Sequence, residues 1–247
     1  MKENFTILFD LDGTLVDTAP DLIQAHNHVM KKFGHNLKQL SDIKTLAGRG
    51  AWVMMQRSFK NEITDEKIKK KMVDEFISFY AKNINNESKP IKGIFEFLEW
   101  AKSKNISMGV CTNKREVLAV DLLKKINMYK YFEYVAGADT FQFNKPDPRH
   151  LTDVVEIIGG DLKKTIMVGD SEVDASSAHN ANLPFILVKD GYTEKTEKEI
   201  KHDELIKDFI DFNKIIEKYL SSHLLFFRLY QLFILPCFLH QDLITLC

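Results

Sequence analysis

Three short apolar runs, each ending at a polar residue, constrain the fold of this chain more than any other feature of its sequence. The runs span residues 5–9, 106–111 and 166–169, and they end at Asp10, Thr112 and Asp170. Helix-like segments follow at 115–126 and 171–181, and further candidate strands lie at 134–137 and 185–188. This alternation predicts an α/β fold with a doubly wound parallel sheet, a Rossmann-like core. Because ligands bind outside the carboxyl ends of such strands, the polar residues are expected to converge there.

Residues 18–85 separate the first run from the second, and they are predicted to be helical throughout. Apolar side chains recur there at helical spacing, as in Phe76 and Tyr80, and we interpret them as packing residues rather than cofactor ligands. The sequence therefore predicts a small all-helical cap domain at 18–85. The remaining core is formed by residues 1–17 and 86–220.

The end of the chain differs in composition from the rest. Residues 223–247 contain no Lys, Glu, Asn or Gly, and their apolar stretch carries Arg228 and Pro236. A membrane-spanning helix fits poorly, because a central charge is costly in lipid. We interpret residues 221–247 as an atypical apolar tail appended to a finished domain, with an interfacial helix or a dimer contact as alternatives.

The segment Asp10-Leu11-Asp12-Gly13-Thr14 carries the strongest chemical signal. Alternation along an extended chain places Asp10 and Asp12 on the same side, and Gly13 frees the backbone to turn away. A carboxylate with a pKa near ~4 is ionised at neutral pH and attacks phosphorus without an activating base, which suits Asp10. The leaving alcohol needs a proton and the second half-reaction needs an activated water, which suits Asp12 as general acid and base.

Other residues supply the charges and hydrogen bonds that phosphoryl transfer requires. Two carboxylates repel a phosphate ester unless a hard divalent cation intervenes, which indicates magnesium. Asp170 can ligate that ion, and Asp174 can orient a neighbouring ligand. Lys145 can bridge phosphate and nucleophile, while Thr112 and Asn113 can hydrogen-bond the phosphoryl oxygens. Each of these taken alone has a structural explanation, as a surface lysine or a helix cap.

Together the four segments resemble the signature motifs of the haloacid dehalogenase superfamily, over about residues 5–220. The resemblance implies Asp10 as nucleophile and metal ligand, and Asp12 as acid/base and as a metal ligand through its backbone carbonyl. It also implies Thr112 and Asn113 at the phosphate, Lys145 for charge balance, and Asp170 on Mg²⁺ with Asp174 in support. Asp at position 12 separates the chain from the ion-pumping ATPases of the superfamily, which carry Thr there, and it disfavours dehalogenation.

The helical insertion resembles the cap of phosphoglycolate phosphatases, which carries substrate-specificity residues. The resemblance rests on the turn Gly48-Arg49-Gly50, which we predict to bind substrate. A planar guanidinium suits a carboxylate, so Arg49 is expected to meet the carboxylate of 2-phosphoglycolate. The structural alternative is a solvated arginine between two turn glycines.

Composition narrows the classes of partner and the cellular location. The chain has 34 Lys and Arg against 35 Asp and Glu, which offers no basic face for nucleic acid. Its three cysteines lack Cys-x-x-Cys spacing, so neither a disulfide framework nor a zinc site is indicated, and a reducing cytoplasm fits. The expected partner is a small phosphorylated metabolite, bound by a monomer or homodimer.

The motifs leave the physiological substrate open. 2-Phosphoglycolate is favoured, but a sugar phosphate, a nucleotide or pyrophosphate would suit the same residues. A phosphosugar mutase also needs Asp12 and is not excluded by the motifs. A catalytically silent binding module is disfavoured, because the nucleophile, acid/base, lysine and metal residues are all intact.

Overall fold

The computed structural model of the protein describes residues 5–59 and 65–221. Of the predicted tail, residues 222–247 therefore lie outside the described residues. The strands are β1 (Thr6–Phe9), β2 (Val16–Asp17), β3 (Lys89–Pro90), β4 (Ser107–Cys111), β5 (Tyr134–Ala136), β6 (Thr165–Gly169), β7 (Phe185–Val188) and β8 (Glu204–Ile206). The α-helices are α1 (Ala19–Lys32), α2 (Ile43–Leu46), α3 (Ala51–Ser58), α4 (Glu66–Lys82), α5 (Ile94–Ser103), α6 (Glu116–Lys125), α7 (Arg149–Ile157) and α8 (Glu172–Asn180), with a further helix over 212–221. Short 3₁₀ helices lie at Leu40–Asp42, Tyr129–Tyr131, Leu162–Lys164 and Glu197–Glu199.

A six-stranded sheet in the order β5-β4-β1-β6-β7-β8 forms the centre of the molecule. Every neighbouring pair in this sheet is parallel, which confirms the predicted α/β class with a doubly wound sheet. The central strand β1 pairs with β4 and β6, and Phe9 is in register with both Val110 and Val168. The residues that follow these three positions therefore reach one edge of the sheet together.

Buried apolar side chains cover both faces of the sheet. Ile7 and Phe9 of β1 belong to one cluster, which also contains Phe97 from α5. Leu8 points the other way and packs in a second cluster with Leu151 from α7. Alternation along β1 thus supplies both cores, as expected for a strand covered by helices on two sides.

The helices α1 to α4 form a separate layer beyond the carboxyl edge of the sheet. Helix α1 packs on α4, and α3 packs on α4 as well. The two connections to the core pair with each other, because β2 and β3 form an antiparallel ribbon with Val16 opposite Pro90. Buried Asp21 of α1 accepts hydrogen bonds from the backbone N–H groups of Glu87 and Ser88, which fixes the returning connection. The exact boundaries of the cap and core stay predictions.

Of the helices in the described part of the chain, none has the length and apolar character needed to cross a membrane.

Candidate active site

Asp10 lies at the carboxyl end of β1, between the ends of β4 and β6. Thr112 follows β4 and Asp170 follows β6, and these residues are buried. Because β4 and β6 are the two neighbours of β1, the parallel register brings the three predicted residues to one place. The sequence prediction that these strand ends converge agrees with this arrangement.

Lys145 joins two of the predicted aspartates. Its Nζ lies 2.9 Å from Asp10 Oδ1 and 2.6 Å from Asp174 Oδ1, and its side chain is 1% exposed. Burial alone would lower the pKa of Lys145, but the charges of Asp10 and Asp174 outweigh burial and raise it. Burial likewise raises the pKa of Asp10 to about 6, although the Lys145 ammonium lowers it. Lys145 is therefore the fixed positive charge beside the predicted nucleophile.

Asp170 is held by the backbone and by a hydroxyl. Its Oδ2 accepts a hydrogen bond from the Tyr192 N–H at 2.6 Å, and its Oδ1 accepts one from Thr14 Oγ1 at 2.9 Å. Burial, followed by the charges of Asp174 and Asp10, raises the pKa of Asp170 well above its ordinary value. A carboxylate in this position therefore needs a nearby cation to stay ionised.

Oxygen atoms of Asp10, Asp170 and Asp174 lie within 4.8 Å of one another and could hold a metal ion. Asp10 Oδ1 is buried, and beyond its ion pair with Lys145 it accepts no hydrogen bond from the described residues. Asp174, by contrast, already accepts from Lys145 Nζ and, through Oδ2, from the Ser171 hydroxyl at 2.7 Å. Both oxygens of Asp170 and both oxygens of Asp174 accept hydrogen bonds, so Asp10 has the most accessible acceptor position of the three. Direct ligation by Asp170 and a supporting role for Asp174 stay predictions. All-oxygen donors fit Mg²⁺.

Asp12 has surroundings different from those of Asp10. Its Oδ1 accepts hydrogen bonds from Lys114 Nζ and from Thr18 Oγ1, both at 2.6 Å. The Lys114 side chain is 5% exposed and that of Asp12 is 16% exposed. With Asp10, Asp12, Asp170 and Asp174 ionised, four carboxylates face the two ammonium groups of Lys114 and Lys145. One divalent cation would balance the excess of two negative charges.

Gly13 makes the close approach of β1 and β6 residues feasible. Its φ is +81°, a left-handed value that favours glycine. A Cβ at this position would lie 2.5 Å from Asp170 Oδ2. The glycine in the Asp-x-Asp-Gly segment therefore serves both the turn and the space that Asp170 occupies.

Thr112 and Asn113 reach the site, but their hydrogen bonds differ. Thr112 Oγ1 accepts from the Lys114 N–H at 3.2 Å, and no described acceptor takes its hydroxyl proton. Asn113 donates from Nδ2 to the carbonyl oxygens of Gly48 at 3.2 Å and Lys145 at 3.0 Å. The amide of Asn113 therefore connects the cap turn to the lysine loop, and its role at the phosphate stays a prediction.

The predicted cap turn lines the same cavity as the aspartates. Gly48 and Gly50 have φ values of +89° and +82°, so this turn needs both glycines. Arg49 lies at the cavity, but its Nη2 is 3.3 Å from Glu172 Oε1 on α8, and its side chain is 48% exposed. The cavity measures about 260 Å³, smaller than pockets for drug-sized ligands. The predicted contact between Arg49 and a substrate carboxylate stays a prediction.

Several residues at the site were missed in the sequence. Lys114 follows Thr112-Asn113 directly and was recognisable as a third member of that motif. Tyr80 was interpreted only as a packing residue, yet its hydroxyl accepts from Lys114 Nζ at 2.8 Å. Tyr192 donates its backbone N–H to Asp170 and its hydroxyl to Asp17, and no local pattern marks it.

The fold and these strand-end aspartates define a hydrolase of the haloacid dehalogenase type, and comparison with known families agrees. The profile of haloacid dehalogenase-like hydrolases matches residues 7–188, so the chain belongs to this family. It is a phosphatase, as predicted, and its relatives narrow the similarity further.

The chain is 41% identical to a phosphoglycolate phosphatase of Agrobacterium fabrum over 219 residues, which cover 85% of this chain and 94% of that protein. It is 38% identical to a phosphoglycolate phosphatase of Caulobacter vibrioides, with 88% and 92% covered. A crystal structure of a predicted phosphoglycolate phosphatase from Haemophilus somnus 129pt superposes with a TM-score of 0.81 at 28% identity, covering 87% of this chain and 99% of that one. These similarities confirm a phosphatase of the phosphoglycolate phosphatase-like type.

Proposed function

We propose that this phosphatase hydrolyses 2-phosphoglycolate to glycolate and phosphate, with Mg²⁺ and through an aspartyl phosphate on Asp10. The observation that carries the proposal is the pairing of Asp10 with Lys145 and of Asp12 with Lys114 at one strand end. Each of the two carboxylates therefore has its own cation at the strand end, which keeps the two groups distinct. The identity to phosphoglycolate phosphatases of two bacteria supports the choice of substrate.

In the first half-reaction, an Asp10 carboxylate oxygen attacks phosphorus and the bond from phosphorus to the glycolate oxygen breaks. Asp12 gives its proton to that oxygen, so glycolate leaves as the alcohol. Lys145 contacts Asp10 and is well placed to offset charge on the transferring group. Its burial in an ion-pair network keeps the ammonium fixed.

In the second half-reaction, water attacks the phosphorus of the aspartyl phosphate, and Asp12 takes the proton of that water. The bond between phosphorus and the Asp10 oxygen breaks, which restores both carboxyl groups and releases phosphate. Thr112 has a hydroxyl proton to donate to a phosphoryl oxygen. Asn113 supports the site by holding the loop of Lys145 and the turn at Gly48.

The metal site proposed for Mg²⁺ consists of Asp10 and Asp170, with the backbone carbonyl of Asp12. Asp174 supports it by holding Lys145 and the start of α8. When bound, Mg²⁺ would neutralise charge and polarise the phosphoryl group. Asp10 Oδ1 accepts no hydrogen bond beyond its ion pair with Lys145, and burial raises the pKa values of Asp10 and Asp170; both observations support this assignment.

We also propose a cytoplasmic location and a monomeric or homodimeric state. Cys111 is buried as a free thiol, which is compatible with a reducing compartment. Cell fractionation and light scattering of the purified chain measure these two properties directly.

The test of function is a panel of phosphate esters assayed for phosphate release with and without Mg²⁺. We expect 2-phosphoglycolate to give the highest kcat/KM among sugar phosphates, nucleotides and pyrophosphate, and chelation to remove the activity. Asp10→Asn should abolish turnover, because an amide is a poor nucleophile. Asp12→Asn should lower kcat on the order of a hundredfold or more.

Exposed Asp74 on α4 provides the control, since Asp74→Asn removes a carboxylate whose ion pair among the described residues is with the surface Lys70. Wild-type turnover in pure Asp10→Asn protein would contradict the mechanism. A higher kcat/KM for another ester would contradict the substrate. Conversion of glucose 1-phosphate that depends on a bisphosphate would indicate the mutase.

A further inference from the structure

Lys114 occupies the boundary between the cap and the strand-end aspartates. Its side chain is buried, and its Nζ contacts Asp12 Oδ1 of the core and Tyr80 Oη of the cap helix α4. The same Nζ lies 4.5 Å from the centre of the Tyr80 ring. Lys114 and Tyr80 both line the cavity that contains Asp10 and Asp12.

We propose that Lys114, positioned by Tyr80, binds the carboxylate of the substrate and is the main specificity-determining residue for it. This assignment rests on the hydrolysis of 2-phosphoglycolate proposed above. It places carboxylate recognition on the core, one residue beyond Thr112-Asn113. The sequence prediction had placed it on Arg49 of the cap.

The hydrogen-bond capacity of Lys114 supports the assignment. An ammonium group has three N–H donors, and the described acceptors use two of them, at Asp12 and at Tyr80. The third donor remains for a ligand. Burial raises the pKa of the Tyr80 hydroxyl well above its ordinary value, so Tyr80 orients the ammonium without neutralising it.

The chemistry of the substrate places its carboxylate near Lys114. Only one methylene and one ester oxygen separate the carboxylate of 2-phosphoglycolate from its phosphorus. A cation that contacts Asp12, the residue that protonates the ester oxygen, is therefore within reach of the carboxylate. During that step Asp12 is the proton donor, so the substrate carboxylate becomes the anion next to Lys114.

The side of the cavity formed by the helices α1, α3 and α4 is mainly apolar, whereas Arg115 and Asn144 lie on its opposite side. The cap contributes apolar side chains at Leu22, Met54, Val73, Phe76 and Ile77. A sugar or a base would find few hydrogen-bond partners on this wall, and burying its polar groups unpaired is unfavourable. A methylene with a terminal carboxylate needs one cation, which Lys114 supplies.

Arg49 is less suited to this role in the structure. Its guanidinium is paired with Glu172, and Glu172 also accepts from the Thr193 hydroxyl at 2.7 Å. Arg49 keeps further N–H donors, but its side chain is 48% exposed whereas that of Lys114 is 5% exposed. Water and salt screen a charge pair at the surface more than a buried one, so a substrate carboxylate gains more from Lys114.

The experiment compares kcat/KM for 2-phosphoglycolate with kcat/KM for ethyl phosphate, which has a methyl group in place of the carboxylate. Lys114→Met removes the ammonium and keeps the length of the side chain. Loss of a contact with Asp12 should lower both rates, so the ratio of the two isolates carboxylate binding. We expect the ratio to fall on the order of tenfold to a hundredfold, as for loss of a hydrogen bond to a charged group. Lys114→Gln keeps a polar side chain and should lower the ratio similarly if Lys114→Met does not fold.

Arg49→Ala is the matched control, and it should change the ratio by less than about threefold if Glu172 is its main partner. An unchanged ratio in the folded Lys114 variants would overturn the assignment, as would a collapse of the ratio in Arg49→Ala alone. A wild-type ratio near one would instead contradict the proposed substrate, and the assignment with it. These outcomes are distinguishable, because the last one appears before any variant is made.

Discussion

Replacement of Lys145 by methionine should lower the free energy of unfolding, because it leaves the buried Asp10 and Asp174 without their shared cation. Lys145 Nζ is within 3 Å of both Asp10 and Asp174. Each pair is worth on the order of 5 kcal/mol at an effective dielectric constant of 20, and desolvation of the ions offsets much of that. Removal of one partner from a buried ion pair costs about 3–5 kcal/mol. We expect Lys145→Met to lower the free energy of unfolding by this amount at pH 8 without metal.

The loss of stability in Lys145→Met should increase with pH, and the direction of this pH dependence follows from the pKa of Asp10. The pKa of Asp10 is about 6 in the folded protein against 3.8 for the ordinary group, and Lys145 is the neighbour that lowers it. A carboxyl whose pKa is higher in the folded protein than in the unfolded chain stabilises the fold at pH values below its unfolded pKa. That stabilisation is lost as the pH rises through the folded pKa. Without Lys145 the folded pKa rises further. Above pH 6 the free energy of unfolding of the variant should therefore fall by about 1.4 kcal/mol per pH unit relative to wild type. This slope applies for each proton that the folded variant retains and the folded wild type has released.

The assay is urea unfolding of both proteins at pH 5.5, 7 and 8 in the presence of a chelator. The control is Lys70→Met, because Lys70 pairs with Asp74 on the surface at 3.1 Å and its side chain is 73% exposed. That variant should lose less than about 1 kcal/mol, with no added pH dependence. The reasoning is refuted if Lys145→Met loses less than about 1 kcal/mol at pH 8, or if its loss is the same at all three pH values.

Two further changes test the turn at Gly13 and the buried His150. Gly13→Ala should raise the Mg²⁺ concentration needed for half-maximal activity on the order of tenfold or more, because its Cβ would meet Asp170, a proposed ligand. Gly159→Ala, at a φ of +71° with no atom within 4 Å, should show only the backbone cost of about 1 kcal/mol, measured by thermal unfolding. Burial lowers the pKa of His150 to about 4, so its neutral form stabilises the fold above pH 6.5 and this contribution is lost as pH falls towards 4. The loss should reach about 3 kcal/mol in acid titrations of stability, and His150→Gln should flatten that dependence.

The sequence was most informative where local pattern and chemistry coincide. The run 185–188 was predicted as a strand and is β7, and the helix predicted at 171–181 is α8 (Glu172–Asn180). The strands β2, β3 and β8 were not predicted, because each has only two or three residues and one of them is charged, unlike the apolar three-residue β5. Their pairing depends on distant partners, as when Val16 meets Pro90.

Among the site residues, those marked by a local sequence pattern were predicted, and Tyr80, which depends on a distant contact, was not. Asp10 and Asp170 were recognisable because each ends an apolar run, and a parallel sheet brings such ends together. Tyr80 sits at helical spacing among apolar neighbours, and its position in the sequence says nothing about the hydroxyl at its tip. The hydroxyl reaches the site only in the folded chain, where it accepts a hydrogen bond from Lys114.

The two lysines distinguish the surroundings of Asp10, the proposed nucleophile, from those of Asp12, the proposed acid/base. Lys145 is fixed between Asp10 and Asp174, both of which belong to the core, so its charge does not depend on the cap. Lys114 is shared by Asp12 and by Tyr80 of α4, so the surroundings of the proposed acid/base include an atom of α4. Displacement of α4 would remove that contact, whereas Lys145 would keep its ion pairs with Asp10 and Asp174. In the proposed mechanism, α4 is therefore coupled to proton transfer more directly than to nucleophilic attack.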